Sequence, residues 1–145
     1  MTLEEIEESW AKDGPIDDAF LDQESTQRTP KLHSRYNNIY NRELYELLNL
    51  EKEYNYLRQM MYDMYMYGHN EESRKRGWEK TPLNILKGDY KEYIDNHSDI
   101  SEIALKVAKQ KVKCDFLKSI ISSINGRSFQ IRDAIEFKKF SNGIK

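Results

Sequence analysis

Aromatic and basic side chains are interleaved between residues 52 and 80 of this sequence. They are Lys52, Tyr54, Tyr56, Arg58, Tyr62, Tyr65, Tyr67, Arg74, Lys75, Arg76, Trp78 and Lys80. Cations pair with the phosphates of single-stranded nucleic acid and aromatic faces stack on its bases, at about 1–3 kcal/mol per stacked base. The pattern therefore indicates a nucleic-acid site. Tyrosine-rich helices are also common at helix–helix interfaces, so spacing alone slightly favours packed tyrosines beside a solvated basic loop.

A second pattern that could serve a chemical role is a set of paired carboxylates. Glu43 and Glu46, like Glu92 and Asp95, are spaced to share one helix face, where they could hold a hard cation such as Mg²⁺. All-helical nucleotide pyrophosphohydrolases use such pairs in a short helical hairpin. Here 45 residues separate the two pairs, which is far too many for that hairpin. We therefore predict that the protein is not an enzyme.

Other signatures of catalysis or cofactor binding are missing from the sequence. It has no glycine-rich phosphate loop, and its histidines lie far apart: His33, His69 and His97. Cys114, the single cysteine, falls on an apolar helical stripe and is expected to be a small buried side chain. We predict no catalytic residue, metal or cofactor. A lone cysteine, with no leader and no membrane span, predicts a soluble cytoplasmic protein.

Two long helices are the elements expected to carry the interleaved residues. Residues 31–67 contain no glycine or proline, and apolar side chains recur there at spacings of 3 and 4: Leu47, Leu50, Tyr54, Leu57, Met61 and Met64. A helix of this length extends roughly 55 Å and must pack against another long helix. The second stripe comprises Ile100, Ile103, Val107, Gln110, Cys114, Leu117, Ile121 and Ile124. Asn125-Gly126 is expected to end that helix.

The remaining segments complete an all-α architecture. Thr2 and Glu5 form a capping box that begins a helix ended by Asp13-Gly14-Pro15, and a weaker helix is expected to stop before Pro30. Residues 68–82 read as a polar loop, followed by short helices broken at Gly88. We predict one domain over 1–145, made of long antiparallel helices with coiled-coil-like packing. Its parts are an acidic arm (1–28), a long helix (31–67), a basic loop with short helices (68–97), a long helix (98–124) and a C-terminal helix (127–140).

Charge is distributed unevenly along the chain. The 145 residues are 33% charged with a net charge of −2, which by itself argues against a nucleic-acid partner. Residues 1–24, however, carry nine acids and Lys12 alone (−8), residues 25–103 carry 12 bases and 13 acids (−1), and residues 104–145 carry ten bases and three acids (+7). The acidic arm and basic end either have different partners, bind each other in an oligomer, or are simply solvated.

Three stretches of the sequence resemble the UvsY family, the recombination mediator proteins of T-even-type tailed phages. They are Arg127-Ser128-Phe129-Gln130-Ile131-Arg132 followed by Phe140 and Gly143, Leu57-Arg58 through Tyr65-x-Tyr67-Gly68, and Ile85-Leu86-Lys87-Gly88-Asp89. The resemblance implies a protein that binds single-stranded DNA and the phage single-strand-binding protein. It also implies that the protein helps load a RecA-like phage recombinase, and that it forms a ring homo-oligomer of six or seven subunits.

Site residues follow from this resemblance together with the interleaved pattern. The phosphate contacts are predicted to be Arg58, Arg74, Lys75, Arg76 and Lys80, and the base-stacking residues Tyr62, Tyr65 and Tyr67. Because the family has two closely spaced basic residues where Arg58 stands nearly alone, we hypothesise that the neighbouring loop supplies the missing charge. The residues predicted to bury an inter-subunit or inter-helix surface are Phe129, Ile131, Ile135 and Phe140. The rival hypothesis is a helical oligomeric scaffold or adaptor that contacts no nucleic acid.

Overall fold

The regular structure of the chain is helical throughout the residues that the computed structural model describes, 1–79 and 87–143. In chain order the elements are α1 (Leu3–Asp13), α2 (Leu21–Gln23), a π-helical turn (Glu24–Arg28), α3 (Thr29–Tyr67), α4 (Glu71–Lys75), a 3₁₀ turn (Lys87–Asp89), α5 (Tyr90–Asn96) and α6 (Ser98–Ser141). No strand occurs in these ranges, which confirms the predicted all-α class. Within them, no helix is both long and apolar enough to cross a bilayer.

Spatial proximity divides the chain into two compact units. The terminal unit comprises residues 1–44 and 112–145, and the central unit comprises residues 45–111. Both long helices contribute to each unit, because α3 and α6 each extend past a unit boundary. The assignment of the whole chain to one domain stays a prediction.

The first helix forms as its capping box predicts. The Thr2 hydroxyl accepts the N–H of Glu5 at 3.1 Å, and the Glu5 carboxylate accepts the N–H of Thr2 at 2.8 Å. α1 ends at Asp13, before Gly14 and Pro15, and its Ile6 is fully buried in the terminal unit. The acidic N-terminal segment is therefore packed on its own chain.

The passage from α2 into α3 differs from the expected helix break at Pro30. The N–H of Thr29 bonds to the carbonyl of Glu24, five residues back, so a π-helical turn joins the two helices. Pro30 is the second residue of α3 and comes directly after this π-helical turn. The proline is accommodated inside continuous helical structure rather than separating two helices.

The core of the central unit confirms the first apolar stripe. Its buried members are Leu57, Met60, Met61, Met64, Tyr65, Trp78, Ile94, Ile100 and Ile103. Leu50 and Tyr54 pack against this cluster while partly exposed, and α3 ends at Tyr67 as predicted. The buried side chains between positions 57 and 65 of α3 thus pack against those of α5 and of the start of α6 in one core.

The core of the terminal unit corrects one position of the second stripe. The buried cluster is Ile6, Leu32, Tyr36, Ile39, Leu117, Ile120 and Ile124. Ile120 is buried in this core, and the predicted stripe residue Ile121 packs against it while partly exposed, because 3.6 residues per turn drifts against a strict 3.5-residue repeat. Cys114 is buried as predicted, and burial raises the pKa of its thiol.

The segment predicted as a loop over 68–82 contains a short helix. The Asn70 side chain accepts the N–H of Ser73 at 2.8 Å, and the Ser73 hydroxyl accepts the N–H of Asn70 at 3.0 Å. This reciprocal cap begins α4, which carries Arg74 and Lys75 in its last turn. An Asn-x-x-Ser pattern was the sequence signal for the helix.

Helix α6 continues through Asn125-Gly126, where the sequence predicted an end. Gly126 does not adopt a positive φ, and buried side chains on both sides, Ile124, Arg127 and Ile131, hold the segment helical. Tertiary packing outweighs the ~1 kcal/mol by which glycine disfavours a helix interior relative to alanine. The predicted helices 98–124 and 127–140 are therefore one helix.

Gly126→Ala is expected to raise the free energy of unfolding by about 0.5–1 kcal/mol, because alanine restricts the unfolded chain and favours the helix. A Cβ atom built there meets nothing within 4 Å. Gly68→Ala is the matched control, since Gly68 also has open space but a φ of +94°, and it is expected to destabilise. Chemical denaturation measures both, and a destabilising Gly126→Ala would contradict the continuous helix.

Candidate nucleic-acid interface

The predicted DNA contacts lie in the central unit, on consecutive elements. Arg58, Tyr62, Tyr65 and Tyr67 belong to the second half of α3, Arg74 and Lys75 to α4, and Arg76 to the turn after α4. Lys80 lies outside the described residues. These residues form two groups, those along α3 and the basic residues at α4.

Tyr65 is a core residue, which corrects its prediction as a platform for a base. Its side chain is 5% exposed, and its ring stacks on that of Tyr90 with centroids 5.6 Å apart. The α-helical repeat places position 65 one turn after Met61, on the buried face. A base would have to displace Tyr90 to reach the Tyr65 ring.

The other tyrosines differ in accessibility. Tyr67, the last residue of α3, is 81% exposed, whereas Tyr62 is half-buried with its ring edge-on to Tyr90 at 6.2 Å. Tyr56 is exposed and donates a 2.7 Å hydrogen bond to Glu72, and that bond raises the pKa of the phenol. Tyr67 is therefore the most accessible of the three predicted stacking residues.

Arg58 contacts two neighbours on the surface of α3. Its Nη2 lies 3.0 Å from Oδ1 of Asp95, and its guanidinium sits 5.7 Å from the centroid of the Tyr54 ring. Its Nε is buried and has no acceptor among residues 1–79 and 87–143. A phosphate approaching Arg58 must therefore share or replace the carboxylate of Asp95.

The basic residues of α4 and the following turn are exposed to solvent. Lys75 pairs with Glu71 at 3.5 Å and Arg76 with Glu72 at 3.5 Å, while Arg74 has no ion pair within the described part of the chain. Exposed pairs of this kind contribute only about 0–1 kcal/mol. Phosphates can therefore replace these carboxylates at little cost.

Trp78 anchors the end of this basic segment. The indole is 4% exposed, and its Nε1 donates a 2.6 Å hydrogen bond to the carboxylate of Asp99 at the start of α6. The backbone N–H of Asp99 in turn donates to Nδ1 of His97 at 3.1 Å. Arg76 lies 5.8 Å above the buried indole, so the basic segment is positioned by a fixed aromatic ring.

A groove between α3 and α5 contains residues that the sequence pattern did not single out. It has a volume of about 470 Å³ and is lined by Asn55, Arg58, Gln59, Tyr62, Gly88, Tyr90, Lys91 and Ile94. Lys91 was missed because it lies outside the interleaved stretch of 52–80. Only the packing of α5 on α3 brings it to the same groove as Arg58.

The family model described as "Recombination, repair and ssDNA binding protein UvsY" matches residues 9–144 of the chain. This chain belongs to the UvsY family. Two crystal structures of the bacteriophage T4 recombination mediator protein UvsY share the fold of this chain. One has a TM-score of 0.84 at 20% identity, covering 98% of each chain. The other has a TM-score of 0.78 at 19% identity, covering 97% of this chain and 99% of that one. Comparison with curated proteins yields no significant match.

The C-terminal part of α6 has two apolar faces in this UvsY-family chain. Phe129, Phe137 and Phe140 are 59%, 70% and 82% exposed, whereas Ile131 is 2% exposed and Ile135 is half-buried. At 100° per residue the three phenylalanines fall within about 80° of one another, opposite the isoleucines. Ile131 packs within its own chain, which fits the inter-helix alternative of its prediction and not the inter-subunit one.

Two of the four paired carboxylates, Glu43 and Asp95, form ion pairs within this UvsY-family chain. Glu43 lies 3.2 Å from Nζ of Lys113 and 3.4 Å from the N-terminal amine, and Asp95 pairs with Arg58. Over residues 1–79 and 87–143, no group of three His, Cys, Asp or Glu side chains is placed to hold a metal ion. These carboxylates serve as counter-ions for cations.

Proposed function

We propose that this UvsY-family protein is a single-stranded DNA-binding mediator of homologous recombination. In an infected host cell it helps to load a RecA-like phage recombinase onto DNA covered by the phage single-strand-binding protein. The observation that carries the proposal is the exposed group formed by Tyr67, Arg74, Lys75 and Arg76, in a chain of this family. Cations of this group pair with phosphates, and the Tyr67 ring stacks on a base.

The proposed protein acts as a ring homo-oligomer. The modest basic group of one subunit binds DNA weakly, and repetition around a ring converts weak contacts along one strand into avidity. Phe129, Phe137 and Phe140 form an exposed apolar face on α6 that a neighbouring subunit would cover. Six or seven subunits, as in the family resemblance, is the expected size.

Binding to single-stranded DNA is expected to weaken steeply with salt. Each phosphate contact contributes about 0.7 to the slope of log K against log[salt] for a single strand. Arg74→Ala/Lys75→Ala/Arg76→Ala is therefore expected to reduce that slope by up to about 2, without changing the mass of the assembly. Fluorescence anisotropy with a labelled oligonucleotide of mixed sequence, titrated with NaCl, measures both slopes.

The matched control is Lys106→Ala/Lys109→Ala, which removes two exposed cations of α6 in the same unit. We expect it to leave the slope close to that of the wild type. An absence of wild-type binding at low salt would reject the mediator function. A triple variant with an unchanged slope would instead locate the DNA contacts elsewhere on the protein.

A helical scaffold that contacts no nucleic acid is the second candidate function. It is favoured by the burial of Tyr65 and by the ion pairs that occupy Arg58, Lys75 and Arg76. The scaffold predicts an assembly of the same mass with no salt-sensitive DNA binding. The same titration therefore separates the two candidates.

A further inference from the structure

The groove between α3 and α5 combines cations with polar and aromatic walls. Its lining includes two cationic side chains, Arg58 and Lys91, the amides of Asn55 and Gln59, and the ring of Tyr62. No carboxylate is among the described residues that line it. The groove thus has the charge and the composition that suit an anionic, aromatic polymer.

Asp95 is the counter-ion of Arg58 and is not itself one of the residues that line the groove. The two side chains are 41% and 32% exposed and 3.0 Å apart, so the pair is open to solvent and to competing anions. Tyr54 lies under the guanidinium at 5.7 Å. The attraction between the ring and the guanidinium does not depend on the carboxylate partner.

Lys91 and Asp95 are neighbours on α5. They are four positions apart in the sequence, so they lie on one face of the helix, one turn apart. Asp95 pairs with Arg58, and Lys91 has no ion pair within the described ranges. Lys91 is therefore a cation of the groove that forms no ion pair with Asp95, because that carboxylate pairs with Arg58 instead.

We propose that Lys91 is a phosphate-binding residue for single-stranded DNA, and that Asp95 is the internal competitor which the strand displaces from Arg58. The proposal rests on the proposed function, to which it adds Lys91 as a phosphate contact and Asp95 as a limit on affinity. A backbone phosphate in the groove pairs with Lys91 and takes the position of the Asp95 carboxylate on Arg58. The planar guanidinium suits a phosphate as well as a carboxylate, so the exchange needs no new geometry.

Opposite effects are expected from substitutions at the two positions. Asp95→Asn keeps the shape of the side chain but removes the charge, so single-stranded DNA is expected to bind about 3- to 10-fold more tightly at low salt. Lys91→Ala is expected to weaken binding by a similar factor and to reduce the salt slope by about 0.7. Glu92→Gln is the control, because it makes the same charge change one turn earlier on α5, at a carboxylate that has no ion pair among the described residues.

The Asp95→Asn gain is further expected to disappear in an Arg58→Lys background, because lysine does not reproduce the planar guanidinium of the displaced pair. Binding is measured by anisotropy with a labelled oligonucleotide, and folding of each variant by circular dichroism. If the wild type binds and Asp95→Asn matches Glu92→Gln, the competitor role is overturned while the proposed function stands. If Lys91→Ala leaves both affinity and slope unchanged, the Lys91 contact is overturned. If the wild type does not bind at all, the proposed function itself fails.

Discussion

Arg127→Leu is expected to lower the free energy of unfolding by about 3–5 kcal/mol, because it removes one partner of a buried ion pair. Arg127 is 2% exposed, and its guanidinium pairs with the carboxylate of Glu24, which is 3% exposed. Its Nε donates to the Thr29 hydroxyl at 3.0 Å, and Nη1 donates to the carbonyl of Gly14 at 2.6 Å. One side chain of α6 thus satisfies three groups of the N-terminal segment.

The partner carboxylate explains why the loss is large. Burial by itself raises the pKa of Glu24, but the hydrogen bond from Arg28, the N–H of Asp17 and the charges of Arg28 and Arg127 outweigh it and hold the pKa below its ordinary value. Without Arg127, the half-exposed Arg28 is the remaining cation at 2.7 Å. Leucine leaves the carboxylate and the Gly14 carbonyl without their buried donor.

Chemical denaturation of Arg127→Leu and of Arg132→Leu provides the measurement and its control. Arg132 is exposed beside the Phe129 ring on the same helix, so its replacement is expected to change stability by less than about 1 kcal/mol. Glu24 has a lowered pKa in the folded state, so it contributes to the free energy of unfolding above its pKa in the unfolded chain. That contribution is lost as the pH falls through its pKa in the folded protein. Arg127→Leu is expected to reduce this loss in acid.

The double variant Glu24→Leu/Arg127→Leu tests the same interpretation by removing both partners of the buried ion pair. It leaves no unpaired charge in the cluster except the half-exposed Arg28, so it is expected to be more stable than Arg127→Leu alone. A double variant less stable than both single variants would contradict the buried pair as the cause. Measurement at several protein concentrations separates this effect from subunit association.

Phe137→Ser/Phe140→Ser is expected to weaken self-association at least about 100-fold, and to shift the protein towards monomer at micromolar concentration. Burying one phenylalanine contributes about 1.5–3 kcal/mol, and both side chains are largely exposed in the single chain. The two substitutions therefore remove apolar area from the proposed interface without opening a cavity in the protomer. Light scattering coupled to size-exclusion chromatography gives the mass of the assembly.

Leu48→Ser is the matched control for this double variant. Leu48 is 51% exposed on α3, so its replacement removes an exposed apolar side chain outside the phenylalanine face. We expect it to leave the mass unchanged. A double variant that keeps the wild-type mass would contradict the phenylalanine face as the interface, and its DNA affinity would then be expected to stay unchanged as well.

The two apolar stripes illustrate what periodicity alone predicts well. Leu57, Met61 and Met64 are buried at the expected positions, because burial along a regular helix depends mainly on residues three and four apart. The capping box at Thr2 is likewise local, since it needs only Glu5 three residues later. Such features are determined within one or two helical turns.

The breaks at Pro30 and Gly126 were wrong for the opposite reason. Local preference favours a helix end at each site, but α3 includes Pro30 in its first turn and α6 carries buried side chains on both sides of Gly126. Packing against distant residues, such as the contact of Arg127 with Glu24, supplies stability that local spacing does not contain. Propensity is a weak guide where tertiary contacts are strong.

The sequence by itself determined the all-α class, the C-terminal end of α3, the family resemblance and the basic stretch that suits single-stranded DNA. Only the tertiary structure decided which of those residues are available: Tyr65 is buried, Tyr67 is exposed and Lys91 joins Arg58 in one groove. The physical reason is distance along the chain. A helical repeat specifies which side chains share a face. Their accessibility and pairing depend on which other helix covers that face, and the spacing within one helix does not specify that contact.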